Sequence, residues 1–251
     1  MTNHIYNTAK SEYDVSFIGP PLEEGPLPAV FYFALSDKDS LLLDPFNQPT
    51  LPFIDSSIRV FSITIPGHEY PLKKEDAITF WQESIEQGKD LLSPFFEQTC
   101  NVIKELFEKN YITKLGVMGL SRGGFIALHI AARVPQISSI ALFAPMLSIH
   151  KIEELKNLPD SFLNRYALEP HLGTLSERNM TLFIGNADTR VDTKSTLTFF
   201  EALCRHAQEK EIRYPPITLN VTQSMGYKGH GTSKETFIKG AEWLKNSLLR
   251  K

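Results

Sequence analysis

Cysteine is scarce: Cys100 and Cys204 are the only two in 251 residues. That is too few for a disulfide framework, and both fall in segments of helical apolar spacing, where a small buried thiol fits. No apolar run reaches the roughly 20 residues that a bilayer-spanning helix needs, so no membrane span is expected. Met1 to Lys10 lack the apolar core of a secretory leader, which makes a cytoplasmic location the expectation. An excess of one charge is missing too. Lys and Arg total 26 against 29 Asp and Glu, a net charge of -3, with no basic stripe and no polybasic cluster. Nucleic acid is therefore not an expected partner, nor is a charged membrane surface. Internal repeats and low-complexity tracts are absent, which excludes a solenoid. What is present, 42% hydrophobic and 22% charged residues, is enough to bury one large core in a single domain.

Apolar runs and helical patterns alternate along the chain. Tyr13 to Ile18 is a short extended run ending in Gly19-Pro20-Pro21. Ala29 to Leu35 is continuously apolar between Pro28 and the polar Ser36 to Ser40, which predicts a strand buried on both faces. Leu41 to Asp55 is proline-rich without helical period and reads as loop, and Arg59 to Ile65 as a strand ending at Pro66-Gly67-His68-Glu69. Between Glu75 and Lys109, Ile78, Trp81 and Ile85, then Phe95, Phe96, Val102, Ile103 and Leu106, predict two helices broken near Gly88 or Pro94. Leu115 to Gly119, Ser139 to Pro145, Met180 to Ile184 and Ile217 to Val221 read as strands. Phe125 to Ala132, Thr193 to Ala207 and Thr232 to Leu249 read as helices. The rhythm is that of a mostly parallel sheet flanked by helices. Residues 146–179 differ, with mixed charges, Pro159, Pro170 and two short helical candidates. They read either as a small cap or as a solvated connector with one packed helix.

At the junction of the Leu115 strand and the following helix stands Gly119-Leu120-Ser121-Arg122-Gly123-Gly124. A G-x-S-x-G between strand and helix is the context of a nucleophile elbow, a sharp turn that lifts Ser121 Oγ above the sheet. Such a turn strains the serine backbone by about 1 to 3 kcal/mol. Gly119 and Gly123 would relieve collisions across the bend, and Gly124 would let helix and sheet approach. A serine hydroxyl needs a base to take its proton as it attacks, and imidazole suits that role. Of seven histidines, His230 follows the last strand in a glycine-flanked loop and precedes the last helix. His68 is its nearest rival, since its turn also lies at strand ends; His129 and His206 sit on helices. An acid must orient the base. Asp188, just past the Met180 strand, is the first choice and Asp192 the alternative, although Asp192 also suits the cap of the next helix.

On these residues the chain resembles the α/β-hydrolase superfamily, in its esterase and prolyl-oligopeptidase-like branches. The order Ser121, Asp188, His230 is that superfamily's order. Gly185-x-x-Asp188-x-x-Val191 is similar to its acid loop, and Pro66-Gly67-His68-Glu69 to its Pro-Gly-His-Gly turn. The resemblance implies an α/β-hydrolase fold, a cap inserted over residues 146–179, and a Ser121 acyl-enzyme formed from a small-molecule acyl substrate with no cofactor and no metal. It also implies an oxyanion hole made by the N–H groups of Arg122 and Leu35. In the second of these loops the chain departs from the family: Phe33-Ala34-Leu35-Ser36 replaces the usual His-Gly or His-Gly-Gly-Gly. The Arg122 side chain is either an anchor for a substrate carboxylate or a surface salt bridge. A carboxylic ester is the expected substrate; a peptidase or thioesterase activity, and a non-catalytic ligand receptor, are the alternatives.

Overall fold

In the computed structural model, which describes residues 3–73 and 75–250, eight strands form one sheet. They are β1 (Asn3–Ile5), β2 (Val15–Ile18), β3 (Leu27–Phe33), β4 (Arg59–Ile63), β5 (Ile112–Leu120), β6 (Ile137–Phe143), β7 (Asn179–Gly185) and β8 (Ile217–Thr222), in the spatial order β1-β2-β4-β3-β5-β6-β7-β8. β1 pairs antiparallel with β2 and β2 with β4; every other pairing is parallel. The register sets Phe33 beside Gly119, Leu120 beside Phe143 and Gly185 beside Thr222. The carboxyl ends of β3 and β5 to β8 thus lie along one edge of the sheet, where the loops of a parallel sheet gather their functional groups.

Burial follows the expected patterns. β3, β5 and β6 are buried on both faces through their central residues, whereas edge strand β8 is largely open, with Ile217 buried and Val221 exposed. Helices α2 (Ala77–Glu86), α3 (Leu92–Glu108) and α4 (Arg122–Arg133) share one apolar cluster with the sheet, and α8 (Lys234–Leu249) belongs to the other cluster. α7 (Thr193–Glu209) completes the layers. The break in the 75–109 region falls at Gly88, while Pro94 sits in the first turn of α3, where its missing N–H costs nothing.

Two expectations change. Leu41 to Asp55 is not simply loop: Ser36 Oγ accepts the Asp39 N–H at 3.1 Å and starts α1 (Asp37–Leu42), and a 3-10 turn follows at Gln48–Phe53, packed on α8. A six-residue helix is too short to print a period. Arg59, read only as the start of a strand, is fully buried. Its guanidinium donates to the carbonyls of Pro20 at 2.7 Å, Gly25 at 3.0 Å and Tyr111 at 2.7 Å. Cys100 and Cys204 are free thiols, and burial pushes Cys100 up to about 11. Among the described residues no helix is long and apolar enough to cross a membrane.

Residues 146–179 form a 3-10 turn (Ile149–Lys151), α5 (Asp160–Arg165) and α6 (Leu172–Leu175). Ile149, Ile152, Leu155, Leu158, Leu163 and Leu175 are buried in the same cluster as α4. Asp90 ties this segment to α3. Its carboxylate accepts from the Tyr166 hydroxyl, from Arg165 Nη1 at 3.1 Å and from the N–H groups of Leu92 and Ser93 at 3.1 Å each. Burial alone would raise the Asp90 pKa, but the Tyr166 and Ser93 hydrogen bonds outweigh it and hold it at about 2. The folded state thus favours the ionised form. This contribution is complete above the ordinary carboxylate value and is lost as pH falls through about 2. Asp90→Ala is expected to cost about 1 to 2 kcal/mol in urea denaturation at pH 7, and the difference from wild type should shrink as the pH is lowered towards 2. A pH-independent difference would show that the carboxylate charge is not what stabilises the junction.

Candidate active site

Ser121 links β5 directly to α4 with φ 54° and ψ -116°, a strained conformation that its neighbours impose. Its N–H donates to Phe143 O at 2.9 Å, and its carbonyl accepts from the N–H groups of Gly124 and Met146, each at 2.9 Å. The glycines around it are sterically required. A Cβ on Gly119 would lie 2.3 Å from Gly123 O, one on Gly123 1.8 Å from Phe33 O, and one on Gly124 2.7 Å from Pro145 Cβ. Gly123 therefore does more than clear the bend: it lets the first turn of α4 touch the end of β3.

Asp188 stands in the loop after β7 and is 3% exposed. Its Oδ1 accepts from the N–H groups of Arg190 at 2.9 Å and Val191 at 3.1 Å, which turns Oδ2 towards His230. Burial would raise this carboxyl, but the hydrogen bond from His230 and those two N–H groups bring it below the usual carboxylate range. Asp192 does what its alternative reading suggested: it caps α7, its carboxylate accepting the Ser195 N–H at 3.2 Å. The acid and histidine loops are tied together by the Thr189 N–H donating to Lys228 O at 2.9 Å. Gly229, at φ 74°, brings the histidine loop against Ala187, with a notional Cβ only 2.4 Å from Ala187 O.

His230 Nδ1 lies 2.7 Å from Asp188 Oδ2, and His230 Nε2 lies 2.9 Å from Ser121 Oγ. An ionised carboxylate only accepts, so the proton sits on Nδ1 and the Nε2 lone pair faces the serine hydroxyl. His68 is placed elsewhere: its Nε2 faces Arg122 Nη2 at 2.8 Å, and burial together with Arg122 lowers its pKa to about 3. His129 is buried between Phe96 and Phe125. Of the acid and base candidates, the structure thus gathers Asp188 and His230 on Ser121 and engages His68, His129 and Asp192 elsewhere.

Arg122 is the first residue of α4, so its N–H has no intrahelical acceptor and can serve an oxyanion. The expected second donor is already in use. Leu35 N–H donates to Ser40 Oγ at 2.9 Å, and Ser40 Oγ in turn donates to Ser36 O at 2.7 Å. A substrate oxygen would have to displace that hydroxyl. Strand position alone points to this loop, and the capture of its N–H by a serine five residues on depends on α1, a helix too short to show a period in the sequence. Ser121, Arg122 and His230 line a cavity of about 590 Å³ whose apolar wall includes Leu35, Phe46, Leu120 and Phe237. Among the described residues no group of three or more His, Cys, Asp or Glu side chains could hold a metal ion.

No family model matches the chain, and no curated protein does. Solved structures do. A Thermus thermophilus protein superposes with a TM-score of 0.73 at 16% identity, covering 100% of both chains. An esterase of Pyrococcus furiosus gives 0.66 at 16% identity over 98% of this chain and 91% of its own. The acylaminoacyl peptidase of Pyrococcus horikoshii gives 0.66 at 11% identity over 100% of this chain and 42% of its own. At these identities the likeness concerns the fold.

Proposed function

We propose that this chain, which has the α/β-hydrolase fold, is a serine hydrolase that cleaves carboxylic esters through an acyl-enzyme at Ser121. The observation that carries the reading is the continuous contact from Ser121 Oγ to His230 Nε2 at 2.9 Å and from His230 Nδ1 to Asp188 Oδ2 at 2.7 Å. In this mechanism His230 Nε2 takes the hydroxyl proton as Oγ bonds to the acyl carbon, and the carbonyl electrons move onto oxygen. Asp188, ionised and buried, stabilises the imidazolium. The oxyanion is met by the Arg122 N–H, with Leu35 N–H joining only if its bond to Ser40 opens; a single such donor is worth about 3 to 4 kcal/mol. The tetrahedral intermediate then collapses, and the alcohol leaves with the proton from Nε2. A water molecule repeats the sequence on the acyl-enzyme: it gives a proton to Nε2, the acid is released, and Oγ is reprotonated.

In the same reading residues 146–179 are a small cap, anchored beside the acid loop by Arg190, whose Nη1 and Nη2 meet Glu154 at 2.6 and 3.0 Å. Likeness to esterase and peptidase folds fits either acyl chemistry, and the apolar wall of the cavity of about 590 Å³ suits the carbon chain of an ester. A fluorophosphonate probe is expected to label the wild-type chain at Ser121, with the rate falling about 10²- to 10⁴-fold in His230→Ala. Peptide mapping of the adduct and labelling kinetics check both. Labelling at another residue, or at an unchanged rate without His230, defeats the assignment. An aminoacyl anilide cleaved faster than a short-chain ester would favour the peptidase.

A further inference from the structure

We propose that Phe46 sets the length of acyl chain that the pocket accepts, the substrates being esters of apolar carboxylic acids. This deepens the hydrolase reading and rests on it for the ester. Among the described residues, none from 146–179 lines the cavity beside Ser121, so that segment is not its wall. The connection between β3 and β4 is. It contributes Ala34, Leu35, Pro45 and Phe46, while Leu120 at the end of β5 and Phe237 in α8 complete the apolar lining. The Arg122 guanidinium gives the chain no charged seat, because its contacts are His68 and Trp81, neither of which lines the cavity.

The cavity is the open end of one core cluster. Ala34, Leu35 and Phe237 belong to the buried cluster that includes α8, and Phe46 and Leu120 pack against it from its margin. The buried apolar residues of 146–179 belong instead to the cluster that includes α4. A carbon chain entering beside Ser121 thus meets hydrocarbon continuous with the core, where each methylene removed from water is a gain. Its direction follows from the chemistry. The leaving oxygen must take its proton from His230 Nε2, which puts the alcohol against the histidine loop. There the wall is Tyr227, Gly231 and Thr232, and Tyr227 is 80% exposed, so the alcohol faces the open mouth. The acyl chain is left the end where Ala34, Leu35 and Phe237 are buried. Phe46, half-buried and packed on that cluster, closes it.

A length limit needs a wall that does not give, and the turn carrying Phe46 is pinned at several points. The hydroxyl of buried Tyr32 donates to Phe46 O at 2.8 Å. Asn47 N–H donates to Leu43 O at 2.9 Å, and the N–H and the hydroxyl of Thr50 both donate to Asn47 O at 2.8 Å. From α8, Lys245 Nζ donates to Pro52 O at 2.7 Å, and Phe53 is buried in the same cluster as Ala241, Leu244 and Leu248 of that helix. The ring at position 46 is therefore presented on a fixed backbone, and a preorganised wall measures a chain instead of adapting to it.

The test measures kcat/KM for nitrophenyl esters of the straight-chain acids from acetate to decanoate. The wild-type chain is expected to gain about fourfold per methylene up to a limit, and to fall about 10-fold once the chain overruns it. Phe46→Ala removes the ring and should move the limit about two or more carbons longer, whereas Phe46→Trp should move it shorter. A merely structural role for Phe46 would lower every ester alike and leave the limit in place. No limit in the wild type, a limit that neither variant moves, or one that both move the same way overturns the proposal. So does a limit that shifts with the alcohol length of alkyl acetates instead of with the acyl length. Calorimetric binding of methyl ketones of the same chain lengths to Ser121→Ala reads the limit without turnover. If the limit appears there while the wild type cleaves none of the esters, Phe46 keeps its role in the pocket and the hydrolase reading fails.

Discussion

Ser121→Ala is expected to lower kcat for a short-chain ester by about 10⁶, with KM changed little. The hydroxyl oxygen is the only heavy atom removed. The backbone at φ 54° is no less strained for alanine than for serine, and the turn is held by main-chain bonds to Phe143, Gly124 and Met146, so the fold should persist. His230 and Asp188 remain paired at 2.7 Å, yet without Oγ the base has no nucleophile to activate. What survives is the contribution of the Arg122 N–H and of binding, the residual catalysis of a triad that has lost its nucleophile. Circular dichroism should match wild type while ester turnover falls to background. Retention of a hundredth of the wild-type rate by the pure variant would remove Ser121 from the mechanism.

Gly123→Ala should be the most damaging of the single-methyl additions, because the new Cβ would lie 1.8 Å from Phe33 O, well inside van der Waals contact. Neither side can yield cheaply. Phe33 ends a strand paired in register with β5, and Gly123 lies in the first turn of a helix whose next residues are buried. Relief requires a shift of backbone by more than about 1 Å, and a close-packed interior resists it. A loss of about 4 kcal/mol or more is expected in chemical denaturation. In whatever fraction folds, ester turnover should drop at least about 10²-fold, since the same shift moves Ser121 and the Arg122 N–H relative to the substrate. Gly173→Ala is the matched control: it is helical, and its Cβ would meet only the end of Lys210 at 3.9 Å. It should be neutral or stabilise by up to about 1 kcal/mol. Equal effects at the two positions would mean that the elbow does not depend on its close approach to β3.

What could be read in advance is what short stretches encode. β3, β4, β5, β6 and β7 are runs of buried apolar residues that print their own boundaries to within a few residues, and α3, α7 and α8 carry clear helical periods. β1 gives no such signal: it is three residues long and owes its existence to pairing with β2. The elbow is local in the same sense, since the collision between residues 119 and 123 follows from the bend itself. Asp188 and Asp192 show the limit. Both lie in the loop after β7, and the choice between them is made by backbone N–H groups that turn one carboxylate to His230 and by a helix start that takes the other.

By itself, then, the sequence determined most of the strands and helices along the chain and the sharp glycine-flanked turn at Ser121, because these depend on sterics or periodicity within a few residues, while the succession Ser121, Asp188, His230 was what its resemblance to a known family implied. The tertiary structure alone decided that His68 is the neutral partner of Arg122, that Ser40 occupies Leu35 N–H, and that Arg59 seals a cluster of carbonyls. Each of those outcomes is a competition among polar groups for a buried partner. The winner is set by which loops the sheet brings together, and no local pattern records that.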